Sequence, residues 1–140
     1  DFISIGSNDL TQYLLAVDRN NTRVADLYSA YHPSVLRAVR YVVNEVHRVG
    51  KTVSICGEMA GDPGTAILLM AMGFDSLSMS ASNLLKVRKT ICHTPLSEAK
   101  LLLDEVLAYD NPVQIRATVE AKLTALGLID LIRPQGARAS

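Results

Sequence analysis

Cys56 ends a short β-branched run, Val53-Ser54-Ile55, and is followed at once by Gly57-Glu58-Met59-Ala60-Gly61 and then Asp62-Pro63. Glycines permit a tight turn there, and Asp62-Pro63 has the chemistry of an N-cap followed by a first-turn proline. The thiol therefore belongs at the C-terminal tip of a strand, where open α/β sheets and α/β barrels both bind their ligands. In that position it could act as a proton donor or a nucleophile; the alternative is a small buried hydrophobe. A second strand exit offers complementary groups. Phe2 to Gly6 is another short apolar run, and Ser7-Asn8-Asp9 follows it. Asp9 could ligate a hard cation, Asn8 could orient a carbonyl or carboxylate, and Arg19, within Asp18-Arg19-Asn20-Asn21, supplies a cation. Ser, Asn and Asp are also the preferred helix N-caps, so the triplet taken alone could simply start a helix.

The elements that must hold these groups can be read from periodicity. Pro33 to Val49 carries Val35, Val39, Val42, Val46 and Val49 at helical spacing, with Gly50 as a stop, which predicts an amphipathic covering helix. Val53–Cys56 is then a strand, Asp62-Pro63 opens a helix that Gly73 closes after Met72, and Ser76 to Ser80 is a third short strand. A helix over Asn83 to Ile91 follows, with Lys86, Arg88 and Lys89 toward its C-terminus, where cations suit the helix dipole. Thr94-Pro95 and Asn111-Pro112 each open a further helix, to about Tyr109 and about Leu126. Helices alternating with strands imply an α/β fold with parallel pairing. The boundaries so drawn are a strand-and-helix body over 1–93, a helical extension over 94–132, and a tail over 133–140 whose Pro134, Gly136 and small polar residues predict disorder.

Composition narrows the function. The 140 residues carry 14 basic and 14 acidic side chains and a formal net charge of zero, which argues against nucleic acid or an anionic membrane as partner. Apolar stretches such as Ala66 to Met72 fall far short of the roughly 20 residues a membrane helix needs. The chain opens directly on a strand, without methionine or an export pattern, as a piece of a longer polypeptide would. Two cysteines, Cys56 and Cys92, lack the spacing of a zinc site; the sequence leaves a disulfide between them open, but so few cysteines in an α/β chain better suit a reducing cytosol. His32, His47 and His93 lie beside prolines or helix ends, where capping or solvation accounts for them.

Three blocks occur in order: Ser4-Ile5-Gly6-Ser7-Asn8-Asp9-Leu10-Thr11-Gln12-Tyr13, Leu15-Ala16-Val17-Asp18-Arg19-Asn20, and Ile55-Cys56-Gly57-Glu58-Met59-Ala60-Gly61-Asp62-Pro63. With Leu77-Ser78-Met79-Ser80 they cover about the first two thirds of the chain, and such extended blocks are more specific than a spacing motif. The chain resembles enzyme I of the bacterial phosphoenolpyruvate-dependent phosphotransferase system. Within it, Ala16 to Ala25 and Leu131-Ile132-Arg133 look most similar to the nitrogen-related form. The resemblance implies a (β/α)8 TIM barrel of which this chain holds the last three βα units plus a helical C-terminal tail. Three units cannot close such a barrel, which typically takes about 250 residues. Open sheet edges and an uncovered apolar interior layer should then make an isolated fragment associate or rearrange.

The same resemblance implies chemistry. Enzyme I moves the phosphoryl group of phosphoenolpyruvate to a histidine of a separate domain, with Mg2+, and on to a histidine-phosphocarrier protein, releasing pyruvate. Carried over by motif, Asp9 is a magnesium ligand, Asn8 a substrate contact, Arg19 a phosphate-binding cation, and Cys56 the acid that protonates the enolate. A thiol with a reference pKa of about 8.5 is mostly protonated at neutral pH, as an acid must be. Glu58 beside it would further disfavour a thiolate. By the same resemblance the accepting histidine lies in a Thr-Ser-His context that none of His32, His47 and His93 has, and the second metal-binding acid and further phosphate-binding arginines come from earlier barrel strands, so the parent protein is expected to be an enzyme and the chain alone inactive. The resemblance also implies a cytoplasmic, homodimeric parent. Pyruvate phosphate dikinase shares the Asn-Asp-Leu-Thr-Gln and Cys-Gly-Glu cores, whereas the Tyr13 continuation and the Met-Ala after Cys-Gly-Glu look like enzyme I. A non-catalytic regulatory or oligomerisation module is the third possibility, but a scaffold needs none of Asn8, Asp9, Arg19 and Cys56.

Overall fold

The computed structural model describes residues 1–132, so the disorder expected of 133–140 lies outside the described residues. Three strands, β1 (Phe2–Gly6), β2 (Thr52–Cys56) and β3 (Ser76–Ser78), form a parallel sheet in the order β1-β2-β3. Seven α-helices accompany them: α1 (Ser7–Leu15), α2 (Pro33–Arg48), α3 (Glu58–Gly61), α4 (Pro63–Met72), α5 (Ala81–His93), α6 (Leu96–Leu107) and α7 (Pro112–Ala125). The fold is α/β, with sequence-adjacent strands paired in parallel through helical connections.

The strand period of two decides what the sheet buries. Val53 and Ile55 of β2 and Ile5 of β1 are buried and belong to one apolar core with α2, α4, α6 and α7. Alternate residues fall on the other face in register. Ser4 aligns with Ser54 and Ser76, and one tier further along Gly6 aligns with Cys56 and Ser78. The sequence predicts an apolar layer on this uncovered face. Instead this face is mostly small and polar, with Phe2 its large exposed hydrophobe at 70% exposure. The reason is that the branched apolar residues of these short strands all fall on the helix side.

α2 turns Val35, Leu36, Val39, Val43 and Val46 to the core, while Val42 is half-buried and Val49 lies exposed beyond the helix end. The buried stripe thus uses Leu36 and Val43 rather than Val42 and Val49. α4 is buried nearly all round, because α5, α6 and α7 pack against it. Asp62 caps it by accepting from the Thr65 N–H at 2.8 Å, and Gly73, with φ of 94°, closes it. The Tyr31 hydroxyl donates to the same Asp62 carboxylate at 2.7 Å, and the Arg116 guanidinium of α7 lies over the Tyr31 ring at 5.8 Å. Burial and the Asp62 charge hold the Tyr31 phenol far above its ordinary range. These contacts fix the start of α4, and with it the turn that follows Cys56.

Candidate active site

β1 ends at Gly6, and α1 begins immediately with Ser7, so Asn8 and Asp9 sit in the first helical turn at the strand tip. The triplet does open a helix, but its side chains do not cap it; the N-cap is Gly6. Asn8 instead spends its side-chain oxygen across the sheet, accepting from the Glu58 N–H at 3.1 Å and from the Tyr28 hydroxyl at 3.3 Å. The exit of β1 is thereby pinned to the exit of β2, and among the described residues no hydrogen bond from the amide NH2 is seen, so it can donate to a ligand oxygen.

At the tip of β2, Cys56 is a free cysteine exposed on the sheet face away from the helices. Gly57 follows with φ of 106°, in the region L side chains avoid. A Cβ there would overlap Ser7 Oγ and come within 3.1 Å of Asn8 Oδ1. Only glycine lets the two strand exits approach so closely. Ser7 Oγ, wholly buried beneath this contact, has no hydrogen-bond partner among the described residues.

Arg19 reaches the same rim from the loop after α1. Its backbone N–H donates to Gln12 Oε1 at 3.0 Å, and its Nη1 donates to Glu58 Oε1 at 2.8 Å. The Glu58 carboxylate, expected to act on the thiol as a bare negative charge, is instead engaged by this guanidinium. Tyr28 lies within reach of both charges. Its partial burial and the Glu58 carboxylate raise the phenol above its ordinary range, while Arg19 opposes them.

Two open hollows share Asn8, Cys56 and Gly57 as common lining. One, of about 430 Å³, extends to Glu58, Ser78, Met79, Ser80 and Asn83; the other, of about 250 Å³, extends to Gly6, Ser7, Asp9 and Arg19. All four expected site residues, Asn8, Asp9, Arg19 and Cys56, therefore border one continuous rim over consecutive strand tips. The β3 exit, Ser78 to Ser80 with Asn83, was not singled out for chemistry, although the register of Ser78 with Cys56 is the signal that places it there. Tyr28 carries no such signal in the sequence. It sits 20 residues from Asn8, after the short 3-10 turn Ala25–Leu27, and no periodicity connects the two.

The histidines stay out of the site. His32 accepts from the Ser34 N–H as the N-cap of α2, His47 pairs with Asp75 at 2.9 Å, and His93 lies against the Lys89 carbonyl. Among the described residues no three His, Cys, Asp or Glu side chains gather into a metal cluster. Asp9 is an exposed carboxylate on the rim, while Glu58, the other acid there, is paired with Arg19; one carboxylate fits an ion that completes its shell with ligand oxygens. No helix among the described residues is long and apolar enough to cross a membrane.

An α/β chain with a thiol, an amide, a carboxylate and an arginine on adjoining strand tips has the frame of a ligand-binding α/β domain. Residues 1–96 match the family described as PEP-utilising enzyme, PEP-binding domain, and the chain belongs to that family. A Salmonella typhimurium protein named phosphoenolpyruvate-dependent phosphotransferase system is 41% identical over 133 residues, 95% of this chain and 18% of that protein. Proteins named phosphoenolpyruvate-protein phosphotransferase are similar too. The one from Buchnera aphidicola is 44% identical over 85% of this chain and 21% of its own length, and the one from Listeria monocytogenes is 46% identical over 89% and 22%. The chain thus spans about a fifth of the length of these curated relatives.

Proposed function

We propose that this chain supplies the last three βα units of a (β/α)8 barrel in a phosphoenolpyruvate-protein phosphotransferase of the enzyme I type, in its nitrogen-related form. The observation that carries the proposal is the convergence of Asn8, Asp9, Arg19 and Cys56 on one rim, within the span that matches the PEP-binding family. The phosphotransferase names of the relatives favour this over a dikinase, and four converging polar side chains favour it over a scaffold. The whole protein would be a cytoplasmic homodimer that passes phosphoryl to a histidine-phosphocarrier protein.

In the proposed reaction a histidine nitrogen of the parent's other domain forms the N–P bond. The P–O bond to the enol oxygen breaks, and its electron pair stays on that oxygen as an enolate. The Cys56 thiol then gives its proton to the methylene carbon, yielding pyruvate, and the thiolate recovers a proton from solvent. Arg19 neutralises phosphate charge through a fork of N–H donors, and the Asn8 amide donates to a phosphate or carboxylate oxygen. Asp9 would hold Mg2+ together with ligand oxygens, and a bound ion there offsets charge on the transferring group. The test is calorimetry of phosphoenolpyruvate binding to the full-length protein in the presence of Mg2+. Arg19→Ala should weaken binding by the roughly 1.5–3 kcal/mol of a charge-assisted contact. Wild-type affinity in that variant would rule out the phosphate role.

A further inference from the structure

We infer that Glu58 is a positioning residue that presents the Arg19 guanidinium to an anionic group bound at the rim. The inference rests on the proposed role of Arg19 as a phosphate-binding cation. Arg19 and Glu58 come from different strand exits, 39 residues apart, and meet at 2.8 Å. Their side chains are 39% and 62% exposed, and a pair so open to water contributes little to stability. Its geometry is nonetheless fixed at both ends. The Glu58 N–H is held by Asn8 Oδ1, and Gly57 before it, lacking a side chain, lets this turn lie close against Ser7 and Asn8, so the carboxylate starts from an anchored stretch of backbone. On the other side, Gln12 holds the Arg19 backbone. The carboxylate takes one donor, on Nη1, while the guanidinium offers five in a planar fork. A second anion can therefore be bound without breaking the pair, and an arginine already oriented loses less freedom on binding than a mobile one.

Calorimetry with phosphoenolpyruvate and Mg2+ on the full-length protein tests this, comparing Glu58→Ala, Glu58→Gln, Arg19→Ala and the double variant Glu58→Ala/Arg19→Ala. Immobilising one long side chain corresponds to a Kd raised about tenfold in Glu58→Ala, with a smaller rise in Glu58→Gln, which keeps an acceptor oxygen. In the Arg19→Ala background, removing Glu58 should change nothing further, because its effect passes through the arginine. If Glu58→Ala destabilises the fold, Glu58→Gln in the two backgrounds carries the same comparison. Equal or tighter binding in the Glu58 variants would overturn the inference, showing a bystander or a competitor for the arginine. An equal loss in both backgrounds would also overturn it. A wild-type Kd for Arg19→Ala would instead remove the phosphate role of Arg19 on which the inference rests.

Discussion

Gly57 bears the tightest steric demand at the rim, since its φ of 106° and its approach to Ser7 and Asn8 both exclude a side chain. Gly57→Ala should destabilise the protein by about 1–3 kcal/mol, the cost of holding a non-glycine residue in such backbone. It should also weaken phosphoenolpyruvate binding, because the Asn8 to Glu58 hydrogen bond lies under the inserted methyl. Urea unfolding and calorimetry on the same sample check both effects. At this scale much of the site could be read from residue types alone. A thiol before glycines and an Asn-Asp pair after an apolar run are local patterns, and the structure places them where strand tips belong. The Arg19–Glu58 pair and the Tyr28 contact to Asn8 were not legible, because they join segments 39 and 20 residues apart.

Among the elements, caps and prolines marked boundaries well. Asp62-Pro63 and Gly73 bound α4 as the sequence predicts, and the starts of α6 and α7 lie within a residue of their proline signals. The four-residue α3, Glu58–Gly61, was not foreseen, since a single turn has no periodicity to detect. Nor was the lock at the start of β3. There the Val53 N–H donates to the Asp75 carboxylate at 2.8 Å, the Asp75 N–H donates back to the Val53 carbonyl at 3.1 Å, and His47 approaches the same carboxylate. The His47 hydrogen bond, then the Val53 N–H, holds the Asp75 carboxyl below its ordinary range. A carboxylate with a depressed folded-state pKa stabilises above its unfolded pKa, about 3.9, and loses that contribution as pH falls through the folded value. Asp75→Asn should therefore lower the melting temperature at pH 6, and its gap from wild type should close below pH 4. A gap independent of pH would show that the charge is irrelevant. Tyr31→Phe removes a part-buried hydrogen bond to the Asp62 carboxylate and should cost about 1.5–3 kcal/mol in urea unfolding.

For the molecule as a whole, the sheet is open on one face, and that face carries Ser4, Ser54 and Ser76 below Gly6, Cys56 and Ser78. Association of the isolated chain should be driven by the unpaired edges of β1 and β3 and by Phe2 rather than by a broad apolar surface. Light scattering should find it larger than its 15.2 kDa monomer, and a compact monomer with strongly protected strand amides would contradict this. The isolated chain should also take no labelled phosphoryl from phosphoenolpyruvate, since none of its histidines stands at the rim and positioned electrostatics need the full constellation. The fold class could be read at this scale because alternating strand and helix signals are local. The polar sheet face was obscured because which side of a strand meets the helices is settled by packing. In the proposed reaction Cys56 is the acid through which the full-length protein forms pyruvate. The most direct test of that role is the rate of pyruvate formation by the full-length protein bearing Cys56→Ala, with the phosphocarrier protein present. A loss of about 10²–10⁴-fold, with phosphoenolpyruvate still bound, is the predicted result; an unchanged rate would contradict it.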